Sequence, residues 1–169
     1  MKPSVRWISV SLAALGAIGV AMPAAAGSAT GSFNVTTTVI DVCAVSTANL
    51  GFGTYSPIAG SALDGTSTIT ITCTLGTPYN VRLDAGGHSG GSVSTRKMQR
   101  TSGGSETVNY SLYRNAGRTQ NWGETDNTDT VSATGTGLTQ GHTVYGRIPA
   151  SENVPTGSYS DTVNVTVSY

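Results

Sequence analysis

Apolar and polar residues alternate in several short stretches of this chain, and a period of two predicts β-strands. The first clear stretch places Ile69, Ile71 and Cys73 on one face. Three further stretches predict that the inward residues are Tyr79, Val81, Leu83, Tyr110, Leu112 and Val144. Gly- and Pro-rich segments separate the stretches and predict turns. Six or more strands in one domain predict an all-β fold, an immunoglobulin-like β-sandwich.

The longest clean alternation closes the chain and predicts a final strand over residues 158–169. Its inward row consists of Tyr159, Val163, Val165, Val167 and Tyr169. No turn and returning strand follow, and Asp161 is the only charge that could blunt this edge. Because an open apolar strand edge invites pairing, we expect a strand of another chain to cover it.

A further extended stretch, rich in Thr and Val, precedes the first cysteine at residues 28–40. Phe33, Val35, Thr37 and Val39 lie on one face of it. The chain therefore has a surplus strand-like segment at its N-terminal side and an open edge at its C-terminal side.

The first 26 residues have the three parts of a secretory signal peptide. Lys2 and Arg6 supply the positive charge, residues 7–22 form an uncharged apolar run, and small residues at 24–26 suit cleavage after Ala26. The alternative is a membrane anchor, but the run has 16 residues, and a spanning helix needs about 20. Removal of the signal leaves 143 residues, which predicts one exported domain.

Charge and cysteine content refine this picture. Beyond residue 26 the chain has seven Lys and Arg against nine Asp and Glu, without a basic patch, so no nucleic-acid partner is expected. The two cysteines are Cys43 and Cys73. In an exported protein an even pair predicts a disulfide, with two free buried thiols as the alternative.

One motif could suggest an enzyme. Residues 87–91, GHSGG, match the G-x-S-x-G nucleophile elbow, and Asp126 or Asp129 and then His142 follow in the order of that class. The elbow requires a strand before it and a helix after it, whereas here a Gly-rich run leads to more Ser and Gly. We therefore interpret Ser89 as part of a hairpin loop and predict no catalytic residue and no enzyme.

Metal and cofactor sites are also not expected. His88 and His142 lack the partner spacing of a zinc site. Glu124, Asp126 and Asp129 share one polar loop that could hold Ca²⁺ weakly, but the spacing is not that of an EF-hand. A solvated loop is the favoured interpretation.

Two aromatic and basic features have competing interpretations. Trp122 could be a sugar platform, but a Trp that anchors a core is the commoner case, and we favour it. Arg96, Lys97 and Arg100 surround Met98. We expect a solvated strand edge with Met98 turned inward, and binding of an anionic surface polymer is the alternative.

Several segments in a fixed order carry a resemblance to a known family. They are VCAVS at 42–46, LGFGTY at 50–55, TITCT at 70–74, PYNVRLDAG at 78–86, RKM at 96–98, YSLYRNAG at 110–117, NWG at 121–123 and residues 144–169. The ordered set resembles the spore coat protein U domain family, which includes secreted subunits of archaic chaperone–usher pili. The resemblance covers nearly all of the chain beyond the signal.

The resemblance implies a sandwich that lacks its last strand. A periplasmic chaperone would lend a strand until the N-terminal extension of the next subunit replaces it, and an outer-membrane usher would export the fibre. On this sequence the donor extension is residues 27–40, with Phe33, Val35, Thr37 and Val39 as its inward row. The incomplete domain is residues 41–169, with its last strand bordering the acceptor groove. Thr37 departs from the apolar residue expected in such a row.

The resemblance also implies a function. We expect a structural subunit of a surface pilus, or fimbria, that supports adhesion and biofilm formation at the cell surface, with neighbouring subunits as its partners. The alternative is a non-fibrous spore-coat or surface protein that fills its own groove or forms closed oligomers. A tip adhesin is less expected, because 143 residues leave little room for an extra binding domain.

Overall fold

The computed structural model describes residues 25–169, so the predicted signal peptide lies almost wholly outside the described residues. Residues 25–42 belong to no helix or strand, and their side chains are exposed. Phe33, Val35 and Val39 are 86%, 83% and 79% exposed, respectively. From Thr38 to Tyr169 the chain forms one compact unit.

Nine strands make up this unit, and no helix occurs between residues 25 and 169. The strands are β1 Cys43–Thr47, β2 Leu63–Cys73, β3 Pro78–Leu83, β4 Arg96–Arg100, β5 Thr107–Tyr113, β6 Val131–Thr134, β7 Thr139–Ile148, β8 Tyr159–Ser160 and β9 Val165–Ser168. They form a six-stranded sheet in the order β1-β2-β7-β5-β4-β8 and a three-stranded sheet in the order β6-β3-β9. All neighbouring strands are antiparallel. Within the same residues, nothing has the length and apolarity of a membrane-spanning helix.

The core lies between the two sheets, which confirms the predicted all-β sandwich. Every inward residue named from the alternation in β2, β3, β5 and β7 is buried. Trp122 is also fully buried, and its indole nitrogen donates a hydrogen bond to the carbonyl oxygen of Val81 at 2.9 Å. The prediction that Trp122 anchors the core is confirmed.

The structure contains the disulfide between Cys43 and Cys73. The two residues lie opposite each other in the register of β1 and β2, so the bond ties the edge strand to its neighbour. It closes a loop with a sequence separation of 30 residues. A loop of this size stabilises the fold by about 3–4 kcal/mol through the entropy of the unfolded chain.

The prediction of one continuous final strand over residues 158–169 was wrong. β8 pairs with β4 in the larger sheet, whereas β9 pairs with β3 in the smaller one. Residues 161–164 cross between the sheets. Alternation alone does not distinguish a straight strand from one that changes sheets, because both keep the odd-numbered residues inward.

Asp161 holds this crossing in place. Its side chain is only 2% exposed. The carboxylate accepts hydrogen bonds from the Tyr110 hydroxyl at 2.6 Å and the Gly87 amide at 2.9 Å. The expectation that Asp161 is a charge on an exposed edge was therefore wrong, since its polar partners inside the sandwich offset the cost of its burial.

β7 is longer than its predicted start at Val144 indicated. It begins at Thr139 and pairs with nearly all of β2. Its first half contains no apolar side chain, although Gln140 and His142 lie opposite the buried Ile71 and Ile69, so it shows no apolar alternation. Main-chain pairing with β2 forms the strand there.

Among the basic residues, Arg96 differs most from its predicted exposure to solvent. It is 0% exposed, whereas a solvated strand edge was expected. Its guanidinium donates hydrogen bonds to main-chain carbonyl oxygens of four residues, Leu83, Asp84, Val93 and Trp122. Met98 packs against the core, as predicted.

Candidate functional site

A cleft of about 450 Å³ opens between the two sheets, and we call it the groove. Its floor is apolar and comes from both sheets. The floor residues are Ile69, Leu83, Tyr110, Leu112 and Val144. Because these side chains belong to the buried core, the groove reaches the sandwich interior along one side.

Two segments form the long walls of the groove. The first wall follows β1 and consists of residues 47–50 and Phe52. The second wall is the terminal segment, residues 159–163 and Val165. Three of the predicted edge residues therefore line the groove: Tyr159, Val163 and Val165.

The other two predicted edge residues lie elsewhere. Val167 packs against the core, and Tyr169 is 60% exposed. Tyr169 lines a different cleft, together with Pro78 and Asn80. The terminal segment thus borders the groove only as far as Val165, the first residue of β9.

Glycines fix the position of the first wall. Gly65 of β2 and Gly146 of β7 lie opposite each other, and the side chains of Leu50 and Phe52 pack over them. A Cβ atom at Gly146 would lie 2.8 Å from Cζ of Phe52, and one at Gly65 would lie 3.1 Å from Leu50. The close packing of this wall therefore depends on the absence of side chains at both positions.

A second cleft of about 540 Å³ continues the groove. It shares Leu50, Phe52, Met98 and Tyr159 with the groove and extends to Val154. The two clefts together form an extended trough between the wall that follows β1 and the terminal segment.

The terminal segment also has a free main-chain edge. Within the described part of the chain, β8 pairs only with β4, and β9 pairs only with β3. Each has a second side on which no strand lies. An apolar floor beside an unpaired edge is an arrangement that can accept an added strand.

The residues of the elbow motif have separate structural environments. Ser89 is exposed in the loop between β3 and β4, and the element that follows this loop is a strand. His142 lies in β7, with its Nε2 atom 2.9 Å from the hydroxyl of Tyr79. The strand–turn–helix geometry of a nucleophile elbow is not formed around Ser89.

Two of the three carboxylates of the acidic loop have partners within the protein. Asp126 forms an ion pair with Arg82, and Asp129 accepts a hydrogen bond from the amide of Thr125. Glu124 is exposed. Between residues 25 and 169, no group of three or more His, Cys, Asp or Glu side chains is placed to hold a metal ion.

His88 contacts two residues of the terminal segment that line the groove. Its Nε2 atom lies 3.1 Å from the carbonyl oxygen of Ser160 and 3.7 Å from Oδ1 of Asp161. The loop between β3 and β4 therefore contacts the terminal segment where that segment crosses between the sheets.

His142 predicts a pH dependence of stability. Burial lowers the pKa of His142, so the folded protein favours the neutral ring, whose Nε2 atom lies 2.9 Å from the Tyr79 hydroxyl. The unfolded chain takes up a proton near pH 6.5, and the folded chain does so only at lower pH. We therefore expect the free energy of unfolding, measured in urea, to fall as the pH decreases below about 6.5.

The histidine variants supply the control. His142→Gln should flatten this part of the pH profile, whereas His88→Gln retains His142 and should keep the decrease. An unchanged profile in His142→Gln would contradict the assignment.

Comparisons with known proteins agree with this architecture. The model of the family described as Spore Coat Protein U domain matches residues 29–166. Protein U of Myxococcus xanthus is 32% identical over 160 residues, which cover 87% of this chain and 88% of that protein.

Two solved structures are similar. The first is the CsuC–CsuE chaperone–tip adhesion subunit pre-assembly complex from archaic chaperone–usher Csu pili of Acinetobacter baumannii, with a TM-score of 0.60 and 24% identity. The match covers 78% of this chain and 41% of that chain, so this chain spans about two-fifths of its length. The E. coli Hda pilus minor tip subunit HdaB has a TM-score of 0.40 and 19% identity, over 73% of this chain and 80% of that one. The first likeness agrees with the predicted immunoglobulin-like sandwich.

Proposed function

The chain belongs to the Spore Coat Protein U domain family, and from that premise we propose that it is a structural subunit of a chaperone–usher surface pilus. The observation that carries the proposal is the open groove, with its apolar floor and its free strand edge. The same chain has an exposed apolar row in its N-terminal extension, residues 27–40. One subunit thus has both a site that accepts a strand and a strand to donate.

The energetics favour insertion of this row into a neighbour's groove. Burying Phe33, Val35 and Val39 stabilises the contact by roughly 1.5–3 kcal/mol for each side chain. The inserted main chain also satisfies donors and acceptors along the free edge of the terminal segment. Because the donating and accepting surfaces differ, the contact is head-to-tail and generates an open filament.

The base of the extension is held by the domain. The hydroxyl of Thr74 donates to the carbonyl oxygen of Ile40 at 3.3 Å and accepts from the amide of Val42 at 3.1 Å. The hydroxyl of Thr77 donates to Asp41 at 2.5 Å. These contacts fix residues 40–42, from which the extension would reach the next subunit.

A subunit with an open groove needs a temporary cover during export. The similar CsuE subunit is described in a pre-assembly complex with a chaperone. We propose that a periplasmic chaperone covers the groove of this chain in the same way and that an outer-membrane usher then exports the assembled subunits. The chain would pass through the periplasm and end in a fimbria at the cell surface, where it would support adhesion and biofilm formation.

The alternative is a coat protein that fills its own groove. Such a chain would bury Phe33 and Val35 in its own groove. The similar CsuE subunit is described with a chaperone before assembly, which favours assembly between chains.

Electron microscopy of cells with and without the gene tests this proposal. We expect thin fibres that an antibody against the protein labels, and we expect their loss when the gene is deleted and their return when it is restored. Exported protein that occurs only as closed oligomers of fixed mass, without fibres, would instead support the coat alternative.

A further inference from the structure

We propose a specific register for the contact between two copies of this chain, which deepens the proposed function and rests on it. The donor extension of one copy runs antiparallel to the terminal segment of the next. Facing residues have numbers that sum to 198. The inward pairs are Phe33 with Val165, Val35 with Val163, Thr37 with Asp161, and Val39 with Tyr159.

The lengths of the two segments match. The groove wall formed by the terminal segment runs from Tyr159 to Val165. The inward row of the extension runs from Phe33 to Val39, which is the same number of residues. As an extended strand the row spans about 20 Å at about 3.3 Å per residue. It has one inward residue for each inward residue of the wall, including the crossing at residues 161–164.

The polarity patterns also match, but only in one direction. Each row has one polar residue among three others. The polar residue is the second of four in the wall, and it is also the second of four in the extension when the extension is read from its C-terminal end. The wall has the order Tyr159, Asp161, Val163, Val165, and the reversed extension has the order Val39, Thr37, Val35, Phe33. In the antiparallel direction, therefore, the polar residue of one row faces the polar residue of the other.

Other registers lose this match. A shift by two residues places Thr37 opposite Val163 or Tyr159, where its hydroxyl would be buried against an apolar side chain. The parallel direction, with Phe33 at Tyr159, also places Thr37 opposite Val163. A shift by one residue turns the whole inward row outward.

Asp161 has the capacity for a further hydrogen bond. Its Oδ1 atom accepts from the amides of Gly87 at 2.9 Å and Thr162 at 2.8 Å, and its Oδ2 atom accepts from the Tyr110 hydroxyl at 2.6 Å. A carboxylate has about four acceptor positions, so one remains on Oδ2. The side chain is 2% exposed, and Asp161 lines the groove, which is the side from which an inserted strand would approach. The hydroxyl of Thr37 is the only side-chain donor in the inserted row that could use it.

Engineered cysteines test the register. Val35→Cys is combined in one chain with Tyr159→Cys, Val163→Cys or Val165→Cys, and fibres are oxidised and separated without reducing agent. We expect a ladder of disulfide-linked subunits from the pair at 35 and 163, with about tenfold less from the other two pairs. Residue 165 is a diagonal neighbour of residue 35, about 7–8 Å away, and residue 159 lies about 13 Å along the strand from the facing position. Chains with Val35→Cys alone control for exchange with the native disulfide.

The outcomes separate the register from the proposed function. A dominant ladder from residue 159 or 165, or fibres without a ladder from residue 163, would overturn the register and leave the fibre intact. A wild-type chain that forms no fibres would overturn the proposed function itself.

A second measurement is the change in the dissociation temperature of the fibres that a substitution of Thr37 causes. In the proposed register, Thr37→Val places a methyl group against the buried carboxylate of Asp161, so the temperature at which fibres dissociate in detergent should decrease. Thr37→Ser keeps the hydroxyl and should dissociate near the wild-type temperature. An increase for Thr37→Val would show that residue 37 faces an apolar side chain and would overturn the register.

Discussion

A chain that lacks residues 27–40 is expected to accumulate as a folded monomer and to form no fibres. The deletion removes the whole proposed donor row and the first three residues of the compact unit, but it leaves all nine strands and the disulfide between Cys43 and Cys73 in place. The groove of such a chain can still accept a strand. Electron microscopy of cells measures the absence of fibres, and size-exclusion chromatography of the exported protein measures whether it is a monomer.

Two controls make the deletion specific. Asn34→Ser and Thr36→Ser change the opposite face of the extension. These variants should still form fibres. When the truncated chain is produced together with the wild type, it should end growing fibres and shorten them, because it accepts but does not donate. Fibres of normal length from the truncated chain alone would refute the donor role of the extension.

Replacement of Arg96 by Met should cause a large loss of stability in this domain. The guanidinium is completely buried, and its Nη2 atom donates to the carbonyl oxygens of Leu83 at 3.1 Å and Trp122 at 2.8 Å. Its other nitrogens donate to the carbonyl oxygens of Asp84 and Val93. Met fills similar space without a donor, so two buried and two partly buried acceptors lose a partner. We expect the free energy of unfolding in urea to decrease by about 3–5 kcal/mol.

Arg82→Met is the matched control for this substitution. Arg82 is about one-third exposed and forms an ion pair with Asp126. Exposed ion pairs contribute about 0–1 kcal/mol, so this variant should remain close to the wild type. Equal losses in the two variants would mean that the buried hydrogen bonds of Arg96 do not determine the stability of the domain.

The alternation along the chain predicted the core well because burial in a sandwich depends directly on the period of two. Ile69, Ile71, Val81 and Leu83 are all buried where the alternation placed them. The pattern failed for Arg96 because its charge indicated exposure. Its position did indicate burial, because Arg96 is two residues from the inward Met98 and therefore lies on the same face of the strand.

The groove could be predicted only in part. Tyr159, Val163 and Val165 were identified, because they belong to a long alternation. Leu50 and Phe52 also alternate, but they lie in a segment that forms no strand, and nothing local indicates that they pack over glycines of β2 and β7. Contacts between residues distant in sequence determine that wall.

The position of the disulfide has a mechanical consequence. The proposed donor row ends at Val39, and Cys43 follows after three residues. β1 lies at the edge of its sheet, held to β2 by main-chain hydrogen bonds that a pulling force could peel apart one after another. Tension that enters through the extension passes the hydrogen bonds of residues 40–42 and then reaches Cys43. From there it passes through a covalent bond to Cys73, within the buried core. A fibre built from such subunits would carry its load through the disulfide and the interior strand, and the weakest edge of each sandwich would bear little of it.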